Sequence, residues 1–259
     1  MTDLVLIERN GPLATVTLNR PEVHNAFNAH LIAELHAACV ALRGEPGLRA
    51  VVLRGAGPSF CAGADLHWMR ESLNYTHAEN LADAARLDAM LEAVNTLPVA
   101  VIGRVHGAAL GGGVGLAACC DVVVAAENAS FGFTEARLGL LPAVIARYVA
   151  PKIGPGQARA LFVTARRFSA RHALGIGLVH EVTPAEGLDA AVEQVIEAVL
   201  ACGPEAVAAS KALVAVVASL PPAEAREYVI GAIAAARTSP EGQEGLRAFL
   251  EKRAPAWAK

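Results

Sequence analysis

Aromatic residues are scarce in this chain of 259 residues: Phe, Trp and Tyr together make up 5% of it. Hydrophobic types make up 54%, so a large core is affordable in composition but has to be packed from Ala, Val, Leu and Ile. Charge of one sign is lacking too. The net charge is −3 with no block of like charges, which argues against nucleic acid or an anionic membrane as the main partner. No apolar stretch runs uninterrupted for the length of a bilayer. Met1-Thr2-Asp3-Leu4 carries neither a basic-then-apolar signal nor an Arg- and Ser-rich transit pattern. None of the five cysteines (Cys39, Cys61, Cys119, Cys120, Cys202) forms a Cys-x-x-Cys pair, so free thiols in a reducing cytoplasm are expected. The eight histidines are scattered, leaving no metal-ligand cluster. There is no flexible linker, no low-complexity segment and no obvious sequence repeat.

What is there reads as strands alternating with helices. Leu4 to Glu8 and Ala14 to Leu18 flank Asn10-Gly11-Pro12, a hairpin signal. Phe27 to Leu42 has helical apolar spacing, with Asn28 placed to cap it. Ala50 to Leu53, Pro98 to Ile102, Asp121 to Ala126 and Leu178 to Val182 read as buried strands, and Glu79 to Leu97 as a helix. Residues 67 to 80 are polar and mixed and are expected to be mobile. This alternation predicts an α/β fold with a mostly parallel sheet and right-handed crossovers. Beyond Pro184 the pattern turns helical: Ala185 to Leu200, Glu205 to Ser219, Ala223 to Arg237 and Gly242 to Lys252, separated by Gly or Pro. A module boundary is therefore expected near Pro184, giving a core of residues 1–184 and a helical region of residues 185–259.

Two glycine turns stand out. One is Gly107-Ala-Ala-Leu-Gly-Gly-Gly-Val-Gly115, after the Pro98 to Ile102 strand, where three consecutive glycines lead into small residues that can start a helix. Backbone N–H groups are left free at such a helix start, and glycine lets a ligand approach them. The other is Ser59-Phe60-Cys61-Ala62-Gly63-Ala64-Asp65-Leu66, after the Ala50 to Leu53 strand. A lone glycine triplet would be read as tight packing; the second turn makes a paired anion-stabilising device the better reading.

Together the two stretches resemble the enoyl-CoA hydratase/isomerase (crotonase) superfamily, from Leu18-Asn19-Arg20-Pro21 to Lys252-Arg253. The resemblance implies a spiral of ββα turns with a C-terminal helical region for trimerisation, as a homotrimer or a dimer of trimers. It implies an acyl-CoA thioester substrate, with no metal and no nicotinamide; coenzyme A is part of the substrate. The oxyanion donors it implies are the backbone N–H groups of Ala62 and Gly112. The nucleotide and pantetheine contacts fall on His24 and Ala26 and on Ala62, Gly63, Ala64, Asp65 and Leu66. Leu110 lies along the acyl or pantetheine channel, and Thr134 beside Glu135. Lys211 and Lys252 match lysines that reach CoA phosphates in some relatives, sometimes across a subunit boundary, and a solvated surface position is the alternative for each.

Family hydratases use two glutamates to move water and a proton. The one in Phe-Gly-x-x-Glu is Glu135 here. The other, two residues past the glycine triplet, is replaced by Gly115, which carries no proton. This leaves three outcomes open: Glu135 serves both proton steps, another residue supplies the second group, or the reaction is a double-bond isomerisation by a single glutamate. Leu138 to Val149 replaces the usual Pro-Gly-x-Gly-Gly-Thr-Gln-Arg run. With Asp65-Leu66-His67-Trp68-Met69 and Val114-Gly115, it looks like the bacterial branch acting on methylglutaconyl-CoA or isohexenylglutaconyl-CoA, in leucine or acyclic terpene breakdown. Such acyl groups carry a second carboxylate, for which Arg147, His67 or Arg70 are candidates, each as readily a surface group.

Rival readings fit less well. Gly113-Val-Gly-Leu-Ala-Ala118 matches a dinucleotide fingerprint, but a strand starts at Asp121, too soon for the helix it requires. No Gly-Lys-Ser/Thr follows the glycines, and there is no Gly-x-Ser-x-Gly. A non-enzymatic scaffold, including an RNA binder, is disfavoured by the near-neutral charge and by Glu135 itself.

Overall fold

A computed structural model describes residues 3–258. The N-terminal hairpin forms as read, β1 (Val5–Asn10) against β2 (Leu13–Leu18). α1 (Ala29–Arg43) follows, and the Asn28 side chain accepts the Leu31 N–H at 2.8 Å, capping it. Next come β3 (Ala50–Gly55), α2 (Leu66–Ser72) and α3 (His77–Asn95). Residues 66–72, for which the sequence suggested no helix, are helical because Asp65 caps them: its carboxylate accepts the His67 N–H at 2.6 Å. α3 starts with a capping box formed by Thr76 and Glu79. β4 (Ala100–Val105), β5 (Ala108–Leu110) and α4 (Gly112–Ala118) follow, then β6 (Val122–Ala126) and β7 (Ser130–Gly132). α5 (Ala143–Thr164) is broken at Gly154, whose φ of 76° interrupts it between two prolines. β8 (Arg167–Ser169), α6 (Ala170–Gly175) and β9 (Glu181–Thr183) lead to α7 (Leu188–Leu200), α8 (Pro204–Ser219), α9 (Pro222–Thr238) and α10 (Pro240–Leu250).

The strands fall into two sheets. A six-stranded sheet has the order β1-β2-β3-β4-β6-β9, parallel except for the hairpin. A small sheet has the order β5-β7-β8. Single bridges extend the small sheet, Cys61 with Ala109 and Phe27 with Ala64. The chain thus repeats one pattern four times: a strand in the large sheet, a short extended piece in the small one, then a helix. The repeats are β2–Phe27–α1, β3–Cys61 to Ala64–α2, β4–β5–α4 and β6–β7–α5. This is the expected crotonase spiral, a structural repeat with no repeat in sequence. Its consequence for the site is direct: the short pieces stack in order, so the ends of successive repeats lie side by side.

Alternation along the buried strands divides the core. Val51, Leu53, Val101, Val105, Val123 and Ala125 face the main cluster with α1, α3 and α4. Ala50, Val52, Ile102, Val124 and Ala126 face Leu188, Ala191, Val192 and Ile196 of α7. The helical region expected after Pro184 therefore begins with a helix that covers one face of the sheet. Only α8, α9 and α10 lie outside that layer, and they expose Val214, Ile230, Ile233, Phe249 and Leu250. Among the described residues no single helix is long and apolar enough to cross a bilayer.

The repeats touch backbone to backbone at glycines. A Cβ on Gly113 would lie 2.2 Å from the Cys61 carbonyl oxygen, and one on Gly63 would lie 2.9 Å from the Leu110 carbonyl oxygen. Gly113→Ala is therefore expected to destabilise the protein by about 1–3 kcal/mol or more, although Ala favours helices over Gly. Urea denaturation of the two proteins checks this, with a lower midpoint for the variant.

Candidate active site

The site forms where the second, third and fourth repeats end. Arg20 anchors the second. Its guanidinium donates to Asp65 Oδ2 at 2.7 Å and to the Ala26 carbonyl at 2.6 Å. Burial alone would raise the Asp65 pKa, but the Arg20 hydrogen bond and charge and the His67 N–H hold it below the ordinary carboxylate range. Asn25, fully buried, accepts the Arg20 N–H and donates to the carbonyls of Ala56 and Ser59. His24 and Asn25 both adopt left-handed backbone (φ 54° and 56°), held by this network. The segment 24–27 is thereby laid against 62–65.

That arrangement corrects one expectation. Ala62 is not available as an oxyanion donor, because its N–H donates to the His24 carbonyl at 3.0 Å. The Phe27 N–H donates to the Gly63 carbonyl (2.7 Å), and the Asp65 N–H to the Phe27 carbonyl (2.9 Å). In such a parallel bridge the residue between, Ala64, points its own N–H away from Phe27. Ala64 is exposed, and its N–H has no acceptor among the described residues. Gly63, with φ 94°, turns the chain between the two alanines. On its other side lie the Leu110 carbonyl and the Gly111 Cα.

The third repeat supplies the glycine triplet. Gly111, at φ 48° and ψ −116°, ends β5 and precedes α4; its N–H donates to the Gly132 carbonyl at 2.8 Å. Gly112 opens α4 as expected, and its N–H has no acceptor among the described residues. Leu110 is buried, its N–H on the Cys61 carbonyl at 3.0 Å and its side chain against Gly132. The fourth repeat supplies Thr134, half-buried, and Glu135, at the start of a 3-10 turn, Glu135–Leu138. A Cβ on Gly111 would lie 3.0 Å from Glu135 Oε1, so the carboxylate sits against the glycine turn. Glu135 Oε2 is buried without a hydrogen-bond partner among the described residues. Burial raises the Glu135 pKa above the usual carboxylate value, partly opposed by its own backbone N–H. A half-buried carboxyl with a free oxygen beside two free N–H donors is the arrangement for moving a proton next to an anion held by backbone.

The absent second glutamate has a structural cause. A Cβ on Gly115 would lie 2.2 Å from Ile145 Cγ2 and 2.7 Å from Ile145 Cβ. Ile145 is buried near the start of α5; the motif pattern grouped 138–149 with Gly115 but did not single out Ile145 as its neighbour.

The more distant candidates lie away from the glycine turns of their own chain. Lys211 donates to Asp121 Oδ2 at 2.8 Å and to the Val99 carbonyl at 3.2 Å, next to the starts of β6 and β4. Its ammonium is thus held at the far end of β4, a six-residue strand, from the glycine turns. Lys252 follows α10, exposed, and its ammonium makes no hydrogen bond among the described residues. Arg147 is engaged by Asp88 (3.0 Å) and Glu92 (2.8 Å) of α3, and His67 stands 3.4 Å from Glu71. Of the three side chains considered for a distal carboxylate, Arg70 alone has no carboxylate within salt-bridge distance among the described residues. The His24 ring meets Ser59 Oγ at 3.0 Å, Ala26 is buried, and Leu66 is exposed at the start of α2.

A model of the enoyl-CoA hydratase/isomerase family matches residues 8–259. A crotonyl-CoA hydratase of Syntrophomonas wolfei is 34% identical over 251 residues, 96% of this chain and 95% of the relative. Among solved structures, an enoyl-CoA hydratase from Shewanella pealeana superposes with a TM-score of 0.94 at 37% identity, covering 98% of this chain and 96% of that one. Pseudomonas aeruginosa AtuE superposes with a TM-score of 0.95 at 38% identity, covering 99% and 100%. The chain belongs to the enoyl-CoA hydratase/isomerase family, and it is an enzyme of crotonase fold.

The Glu135 environment gives a pH signature. Its folded pKa lies above its unfolded one, so the folded state loses stability as pH rises through the interval between them. Glu135→Gln is expected to melt at a higher temperature than the native protein at neutral pH. The gap should close below the ordinary carboxylate range, at about pH 3, where both states are protonated. Melting curves from about pH 3 to 8 check this.

Proposed function

We propose that the protein hydrates an enoyl-CoA thioester, with Ala64 and Gly112 holding the thioester oxygen and Glu135 serving both proton steps. Water attacks Cβ while the Glu135 carboxylate accepts one of its protons. The π electrons move onto the thioester, and the resulting enolate oxygen is held by the two N–H groups. The Glu135 carboxyl then returns that proton to Cα, so that one water has been added. No metal and no nicotinamide enters. The observation that carries this reading is the unpartnered, buried Glu135 oxygen beside two unpartnered backbone N–H groups.

The acyl group we propose is of the methylglutaconyl type, with a second carboxylate that Arg70 meets. Its support is the motif pattern around Gly115 and 138–149, together with the engagement of Arg147 and His67 elsewhere. Crotonyl-, 3-enoyl- and methylglutaconyl-CoA, each followed by mass, test function and substrate together. Water gain on methylglutaconyl-CoA is expected, falling roughly 10²- to 10⁴-fold in Glu135→Gln. Arg70→Ala should raise KM for methylglutaconyl-CoA and leave crotonyl-CoA unaffected. An unchanged mass with a shifted double bond would make the enzyme an isomerase.

The homotrimer, alone or paired into a hexamer, remains our proposal for the assembly. The exposed Val214, Ile230, Ile233, Phe249 and Leu250 of α8–α10 form the apolar surface that supports it. Light scattering at micromolar concentration is expected to give no monomer.

A further inference from the structure

We propose that Ile145 is the residue that fixes this site to one carboxylate: with Gly115 it forms a matched pair, each position requiring the other. This rests on the reading that Glu135 alone handles the proton. α4 and α5 pack against each other, and Gly115 meets Ile145 across that contact. Gly115 lies one turn into α4, its N–H donating to the Gly111 carbonyl at 3.2 Å. Gly111 is the residue whose Cα side faces the Glu135 carboxylate. A side chain at 115 would therefore start one turn along from the catalytic group, and Ile145 already fills its path.

The overlap begins at the first atom. Cγ2 and Cβ of Ile145 lie 2.2 and 2.7 Å from the position of a Cβ at 115, whereas Ile145 Cα lies 3.7 Å away. Shortening Ile145 to alanine would leave the 2.7 Å overlap. Only glycine at 145 clears it, so an acid at 115 demands a glycine at 145. The large apolar residue at 145 also lines the α4 surface with methyl groups where a second acid would hold water. Ile145 is accordingly a specificity-determining residue, acting through the space it denies to a second proton carrier.

The test is a double-mutant cycle with two readouts. In the native background Gly115→Ala should lower Tm. In Ile145→Gly the same change should leave Tm unchanged or raise it, since the overlap is gone and alanine favours the helix. The same sign in both backgrounds would overturn the pairing, whatever the enzyme's substrate. The second readout is the dependence on Glu135. Crotonyl-CoA hydration in the native enzyme should fall about 10²- to 10⁴-fold on Glu135→Gln. In Gly115→Glu/Ile145→Gly the fall should be at least tenfold smaller, and the pH profile of kcat/KM should show a second titrating group. A folded double variant with the native dependence on Glu135 would overturn the chemical role of Ile145. So would a double variant that does not fold, because the vacated space would not then be the one a glutamate takes. A native enzyme that hydrates no acyl-CoA would instead count against the proposed function, leaving the Tm cycle to decide the pairing.

Discussion

Two loops interlock through their backbones, and the site exists because they do. The Cys61 carbonyl occupies the space a side chain at 113 would need, and the Leu110 carbonyl does the same at 63. Each turn thus carries a glycine where the other presents an oxygen. Hydrogen bonds run alongside, from the Cys61 N–H to the Ala108 carbonyl and from the Leu110 N–H to the Cys61 carbonyl, both at 3.0 Å. Side-chain packing tolerates small shifts; backbone contact at this range does not. The relative placement of Ala64 and Gly112 is therefore set by the main chain.

Much of the fold could be read directly from the sequence. The hairpin, α1 with its Asn28 cap, the buried strands and the C-terminal helices follow from periodicity and capping, which are local properties. The short strands β5, β7 and β8 escaped because three residues carry no period. α2 escaped because its charged residues hide a helix that a single Asp65 cap starts. Glu135 and both glycine turns were visible as motifs. The assignment of the donor to Ala62 failed for a conformational reason: Gly63 reverses the chain between two similar alanines, and a φ of 94° cannot be read from residue type. Lys211 and Arg147 show the remaining limit. A cation is visible in sequence, but the Asp121 that holds one is 90 positions away, and the Asp88 and Glu92 that hold the other are 59 and 55.

Glu135 stands against the tendency of the rest of the chain. Most buried polar atoms here have partners, and the Arg20, Asn25 and Asp65 network is satisfied throughout. Glu135 Oε2, in contrast, is buried and bare. An unpaired acceptor destabilises a fold, and its persistence beside the glycine turn is what a proton-transfer group requires.

The fourfold repeat has a consequence for how such an enzyme can diversify. On the proposed reading the thioester is held by the second and third repeats, while the acid comes from the fourth and its surroundings from α5. Changes at 145, or in 136–142, would then alter what is done to the acyl chain without touching the backbone lock that grips the carbonyl. Grip and reaction would sit on separate pieces of the chain, much as a tool handle outlasts its exchangeable bits.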